Sequence, residues 1–213
     1  MNRTYLISML TLACAAVLPG CANPDRSRDL ANPQVTARTL AQQVCASCHG
    51  LQGVATSPNF PNLAAQTEPY LVAQLQAFKG HSRSDPAGYA SMWGLSRSLT
   101  EAQITGLAAY YAALPPARQA PEGDPARRAA GKALYDQGLA DAGVPACASC
   151  HGAQAQGQAG FPRLAGQHAG YIVKQLVVFQ RTDQRPEGAV MKTVAHALTG
   201  QNMADVAGYL QGL

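Results

Sequence analysis

The string Val44, Cys45, Ala46, Ser47, Cys48, His49, Gly50 returns as Ala146, Cys147, Ala148, Ser149, Cys150, His151, Gly152, 102 residues further along the chain. A chemical motif written twice in matching surroundings means one folding unit used twice, and the similarity runs well beyond the motif. Phe60, Pro61, Asn62, Leu63, Ala64, Ala65, Gln66 is answered by Phe161, Pro162, Arg163, Leu164, Ala165, Gly166, Gln167, and Tyr70, Gln74, Leu75, Phe78 by Tyr171, Gln175, Leu176, Phe179. A third block matches at an offset of 99: Met92, Leu99, Thr100, Ile104, Leu107, Ala108 against Met191, Leu198, Thr199, Met203, Val206, Ala207. Three blocks in the same order predict tandem domains over residues 32–114 and 126–213. The segment 115–125 between them contains Pro115, Pro116, Pro121 and Pro125, which lack amide donors and hold the backbone extended, so it reads as a linker.

Within each copy the apolar spacing is helical. Ile104, Leu107, Ala108, Tyr111, Leu114 and, in the second copy, Met203, Val206, Ala207, Leu210, Leu213 each trace one helix face. Thr100 with Gln103, and Thr199 with Asn202, open these helices as capping boxes, the second a weaker version. Further helices are expected over about 70–78 and 171–179. No alternating strand pattern occurs, so the expected class is all-α. With 47% hydrophobic and 13% charged residues the chain is too apolar to be disordered. A net charge of only +4 argues against a phosphate-neutralising, nucleic-acid-binding surface.

Residues 1–21 read as an export signal: a basic start at Arg3, an apolar run from Tyr5 to Leu18, and no further charge before Asp25. Ser8, Thr11, Pro19 and Gly20 interrupt the run, which falls short of the roughly 20 apolar residues of a membrane span. Its end, Leu18, Pro19, Gly20, Cys21, reads either as a lipobox that leaves a lipidated Cys21 at the mature N-terminus or as an ordinary small-residue cleavage site. In both readings the mature chain leaves the cytoplasm, and Cys14 is lost with the signal.

Two cysteines three apart on a helix project to one side, with the following histidine turned toward whatever the sulfurs hold. This suits haem: two thiols form thioethers with the vinyl groups while the imidazole reaches the iron, the pattern of c-type attachment. A zinc site made from both pairs would need them about 15 to 20 residues apart, but 98 residues separate Cys48 from Cys147. A thioredoxin-like pair needs alternating strands and helices, and a plain disulfide leaves the histidine after each pair as a repeated coincidence. Two covalently bound haem c groups are therefore expected, at Cys45, Cys48 and His49 and at Cys147, Cys150 and His151. They supply apolar core that domains of this size and few aromatics lack.

The second axial position favours methionine. Met92 is the only methionine after the first motif within its domain; of Met191 and Met203 in the second, Met191 aligns with Met92, whereas Met203 falls on the buried stripe at the place of Ile104. Met92 and Met191 are expected in loops ahead of the last helices. His81, His168 and His196 have no histidine counterparts and read as surface or hydrogen-bonding residues. Pro61 and Pro162 are expected to pack on the imidazoles and to accept their free N–H. Gln66, Gln167, Tyr70, Tyr171 and Trp93 are candidates for the pocket wall or the propionates.

With its two motifs, the Phe-Pro-x-Leu-Ala-x-Gln strings, the Tyr-x-x-x-Gln-Leu-x-x-Phe segments and the paired methionines, the chain resembles the dihaem cytochrome c4 family over nearly all of residues 40–213. The resemblance implies two cytochrome c-like domains related by pseudo-twofold symmetry, each around one haem, with His49 and Met92 on one iron and His151 and Met191 on the other. It implies a periplasmic protein, soluble or lipid-anchored through Cys21, that is an electron carrier and not an enzyme. Its partners would be redox proteins: a respiratory donor, and a terminal oxidase or reductase as acceptor. The alternative is a dihaem oxidoreductase, or the haem subunit of one, of thiosulfate dehydrogenase-like or peroxidase-like type. Two departures mark the first copy: Ala65 stands opposite Gly166, and the 57–60 loop is one residue longer than its partner.

Overall fold

The computed structural model describes residues 23–213, so the export-signal reading and Cys21 lie outside the described residues. Among these the regular structure is helical and no strand occurs, only the isolated bridges Leu139–Val144 and Gln158–Phe161. In the first half α1 (Ala37–Leu40) is capped by the Thr36 side chain, which accepts from the Thr39 amide. It runs through a π-helical turn, Ala41–Cys45, into α2 (Ala46–His49), then come α3 (Glu68–Lys79) and α4 (Glu101–Ala112). The second half repeats the order as α5 (Pro125–Gln137), α6 (Ala148–His151), α7 (Ala169–Arg181), α8 (Ala189–Ala195) and α9 (Gly200–Gln211).

Both capping boxes form, the Thr199–Asn202 pair as fully as Thr100–Gln103. The apolar stripes of α4 and α9 are buried as their spacing requires except at their last residues, which lie beyond the helix ends: Leu114 is partly buried and Leu213 is 40% exposed. Each half has its own core. Val35, Leu40, Leu71, Ile104 and Leu107 anchor the first, and Leu134, Tyr135, Ile172, Met203 and Val206 the second. The N-terminal and C-terminal helices of each half cross closely, α1 on α4 and α5 on α9.

Reciprocal hydrogen bonds across the two halves make the pseudo-twofold relation concrete. The Gln66 side chain donates to the Arg163 carbonyl at 3.0 Å and accepts from its amide at 2.6 Å. Gln167 does the same to Asn62, donating at 3.0 Å and accepting at 2.8 Å. Since Asn62 and Arg163 are equivalent positions of the repeat, contact i-to-j is matched by j-to-i, the signature of an isologous interface. His168 is buried in this seam, and its Nε2 donates to the Ala55 carbonyl at 2.9 Å.

The substitution of Ala65 for glycine has a local explanation. Both positions are left-handed, with φ 54° at Ala65 and 73° at Gly166. A Cβ on Gly166 would lie 2.3 Å from the Ala117 carbonyl oxygen, because segment 115–125 packs back over the second half there. Glycine is needed where that backbone passes; Ala65 bears only the modest strain of its own conformation.

Candidate cofactor sites

Each Cys-x-x-Cys-His segment ends a short helix on a glycine that turns the chain sharply. Gly50 and Gly152 have φ of 76° and 84°, and a Cβ on Gly50 would meet the Val54 carbonyl oxygen at 2.1 Å. The turn brings the Pro61 carbonyl to 2.9 Å from His49 Nδ1 and the Pro162 carbonyl to 2.9 Å from His151 Nδ1. A carbonyl only accepts, so each Nδ1 carries the proton and each Nε2 keeps its lone pair. Burial pushes both imidazoles below their ordinary pKa, more than the carbonyl bond raises them, so both rings are neutral at pH 7. Phe60 and Phe161 stand edge-on to these rings, with centroids 6.2 and 6.1 Å away. Burial likewise raises the Cys45 and Cys147 thiols to about 11.

One continuous, mainly apolar cavity is walled by both motif segments and by Met92 and Met191. Both methionines are on helices, not in the loops expected of them. Met191 is in α8, and Met92 is in a π-helical turn, Tyr89–Trp93. The second helix was readable in Val190, Met191, Val194, Ala195 and Leu198, whose spacing follows a helix. The π turn has its own cause. Gly88 and Gly188 are equivalent, each so close to a phenylalanine ring, Phe78 or Phe179, that a Cβ would come within 2.5 or 2.3 Å of it. From those glycines the first half has one residue more before its methionine than the second, and a π turn absorbs one extra residue without breaking the helix. Met203 is 2% exposed inside the second core, as its alignment with Ile104 required.

Among the described residues no three of His, Cys, Asp and Glu converge as a metal cage. The cavity wall carries two neutral imidazoles, two thioethers and two pairs of thiols set three residues apart, among mainly apolar neighbours: a set that fits two haem c groups. The cytochrome c family model matches residues 35–114 and again 128–213. The chain belongs to the cytochrome c family.

Within that family its likeness is to the dihaem c4 branch. It is 37% identical over the full length of both chains to cytochrome c4 of Stutzerimonas stutzeri. To cytochrome c-552 of Acidithiobacillus ferridurans it is 42% identical, over 79% of this chain and 73% of that one. The crystal structure of reduced recombinant cytochrome c4 from Pseudomonas stutzeri superimposes with a TM-score of 0.75 at 34% identity, covering 83% of this chain and 96% of that one. A thiosulfate dehydrogenase electron acceptor of Thiomonas intermedia is 36% identical over 78% of this chain and 76% of its own. The cofactors of this cytochrome are two covalently bound haem c groups, and its activity is dihaem electron transfer.

A buried polar cluster on the cavity wall, overlooked in the sequence, joins the two halves. Arg83 donates from Nη1 to Gln74 Oε1 at 2.6 Å and from Nη2 across the seam to Gln175 Oε1 at 3.2 Å. Arg185 mirrors it, to Gln175 Oε1 at 2.6 Å and across to Gln74 Oε1 at 2.8 Å. Their Nε groups donate to Asp85 and Glu187, and their guanidinium planes lie 4.4 and 4.6 Å from the Phe78 and Phe179 rings. Tyr70 and Tyr171 complete the cluster on the same wall, the Tyr70 hydroxyl 3.4 Å from Arg185 Nη2. A signal for it existed: Arg-x-acid recurs at 83–85 and 185–187 with the same 102-residue offset as the motif. Gln66 and Gln167 reach the wall too, but their amides are spent on the seam. Trp93 is not on the wall; it stacks on His81, with centroids 5.1 Å apart. His196 is exposed.

Asp85, 1% exposed, gives the cluster a pH signature. Burial alone would raise its pKa, but the Arg83 bond and charge, with Arg185 and Gln175 behind them, hold it below the ordinary carboxylate value. A carboxyl depressed in the folded state contributes stability above its unfolded pKa, near 3.9, and loses it as pH falls through the folded value. Asp85→Asn is therefore expected to melt below the parent at pH 7, with the gap closing below about pH 4. Thermal melts across that range check it; a gap independent of pH would assign the loss to packing alone.

Proposed function

We propose that this cytochrome carries single electrons between periplasmic redox proteins through two closed haem sites. One has the haem bound to Cys45 and Cys48 with His49 and Met92 as axial ligands, the other has it bound to Cys147 and Cys150 with His151 and Met191. The observation that supports the reading is that two imidazoles with a free Nε2 and two thioethers line one continuous cavity together with both cysteine pairs. When bound, each haem supplies an iron that changes its charge by one electron. The chain does the rest. The Pro61 and Pro162 carbonyls fix the two rings and make them better donors, the apolar walls exclude water, and Arg83, Arg185, Tyr70 and Tyr171 offer donors to carboxylates.

Both irons being six-coordinate leaves no place for substrate, which separates a carrier from an oxidoreductase of the thiosulfate dehydrogenase type. Reduced parent protein is expected to leave carbon monoxide unbound at both haems, while Met92→Ala opens one site to it, read by absorption spectroscopy. Ready binding by the parent protein would sink the carrier reading. The proposed donor is a respiratory or sulfur-oxidising redox protein, and the acceptor a terminal oxidase or reductase. The likeness to an electron acceptor of thiosulfate dehydrogenase fits a carrier that receives its electrons from an enzyme. Residues 32–114 and 126–213 are the proposed domains behind an export signal at 1–21, with Cys21 as a membrane tether if lipidated. Among the described residues no helix is long and apolar enough to cross a membrane.

A further inference from the structure

Tyr111 is on the buried stripe of α4, 3% exposed, and its hydroxyl is buried with no hydrogen-bond partner among the described residues. A buried hydroxyl left unpaired costs about 1 to 3 kcal/mol, so its retention calls for a partner. Tyr111 and Cys45 are both on the wall of the cofactor cavity, and Cys45 packs against the same buried cluster to which Tyr111 belongs.

The second half solves the same packing problem differently. Leu210 stands in the place of Tyr111: the Ala65 amide donates to the Tyr111 carbonyl as the Gly166 amide donates to that of Leu210. The tyrosine of the second half comes instead from α5, as Tyr135, fully buried where the first half has Ala41. The Tyr135 hydroxyl donates to the Gly152 carbonyl, and its ring is not on the cavity wall. Each half thus buries one tyrosine near the first cysteine of its motif. Of the two, only Tyr111 is on the cavity wall and has a hydroxyl without a partner among the described residues.

We propose that the Tyr111 hydroxyl donates a hydrogen bond to the Cys45 sulfur at the edge of the first haem and thereby raises that haem's reduction potential. A donor turned toward the macrocycle places positive charge beside it, which favours the electron-rich reduced form, and hydrogen bonding around the cofactor is one of the protein's levers on potential. The second site has no such donor at Leu210, so the device distinguishes two otherwise repeated sites. The inference rests on haem attachment at Cys45 proposed above.

The test is Tyr111→Phe in the dihaem protein, which keeps the ring and removes the donor. One midpoint is expected to fall by about fivefold in its oxidation equilibrium, the size of one ordinary hydrogen bond, or roughly 40 mV at 59 mV per tenfold. The other midpoint stays, and the paramagnetically shifted methyl signals of only one ferric haem move. Tyr111→Leu, which copies the second site, should give the same shift, while Tyr135→Phe should move neither potential. Two unmoved midpoints, two that move together, or an equal effect of Tyr135→Phe would overturn the proposal. Mass mapping of the Cys45–Cys48 peptide separates the failures. A missing haem there overturns both readings; a haem present with unmoved potentials overturns this one alone.

Discussion

A chain with alanine at Cys45, Cys48, Cys147 and Cys150, and so without attached haem, is expected to show no cooperative thermal transition at neutral pH. The reason is that about half of the buried core residues also form the cavity wall. Leu71, Leu99 and Leu107 belong to the first core and Ile172, Leu176 and Leu210 to the second, and all six also line the cavity. Without the macrocycle these side chains face water or collapse onto one another, and residual cavity costs about 24 cal/mol per Å³. A single core in a domain this small supplies no more than about 3 to 5 kcal/mol to begin with. The buried Arg83 and Arg185 add to the difficulty, because their partners are assembled from both halves and a partly formed cluster leaves charge uncompensated in an apolar setting. Circular dichroism melts and urea titrations check this. A compact variant that unfolds cooperatively with a large urea dependence would show that the polypeptide core suffices alone.

What could be read from residue order follows the range of the interactions involved. The motifs, the stripes of α4 and α9 and their Thr-led caps are set by residues within a few positions of their neighbours, and the repeat is legible because such local patterns recur in the same order. The His49 and His151 bonds to the Pro61 and Pro162 carbonyls were also legible, because proline fixes the loop that returns to the imidazole. Local spacing fails where an element is too short to show a period. α1 has four residues, and the methionine-bearing α8 has seven, scarcely two turns. It fails again where partners are distant in the chain. Nothing near Gln66 indicates that its amide closes on Arg163, 97 residues away. The cluster of Arg83 and Arg185 has the same character: its members look like ordinary surface arginines until the pseudo-twofold axis brings them together. Comparing the two copies position by position recovers some of this, since a paired Arg-x-acid at one offset is visible in sequence.

Gly131→Ala, a change that helix propensity alone would favour by about 1 kcal/mol, is expected instead to destabilise the second domain by about 3 kcal/mol. Gly131 is in the middle of α5 where α9 crosses it, and a Cβ there would lie 2.0 Å from the Asp205 carbonyl oxygen and 2.5 Å from its carbonyl carbon. The obstacle is helix backbone, so no side-chain rotation relieves it and the two helices must separate. In the first domain the same crossing is built the other way about: the glycine is Gly106 on α4, and its Cβ would meet the Ala37 Cβ of α1 at 2.7 Å. There the obstacle is a side chain. Gly106→Ala should therefore be substantially rescued by Ala37→Gly, whereas Asp205→Gly leaves the carbonyl in place and should not rescue Gly131→Ala. Gly200→Ala, at a position where a Cβ meets nothing within 4 Å, is the control and should be neutral or slightly stabilising. Thermal melts of the holoprotein read all five variants. A Gly131→Ala protein that melts with the parent, or one restored by Asp205→Gly, would mean that the helices yield at this crossing and that its closeness is not what holds α5 to α9.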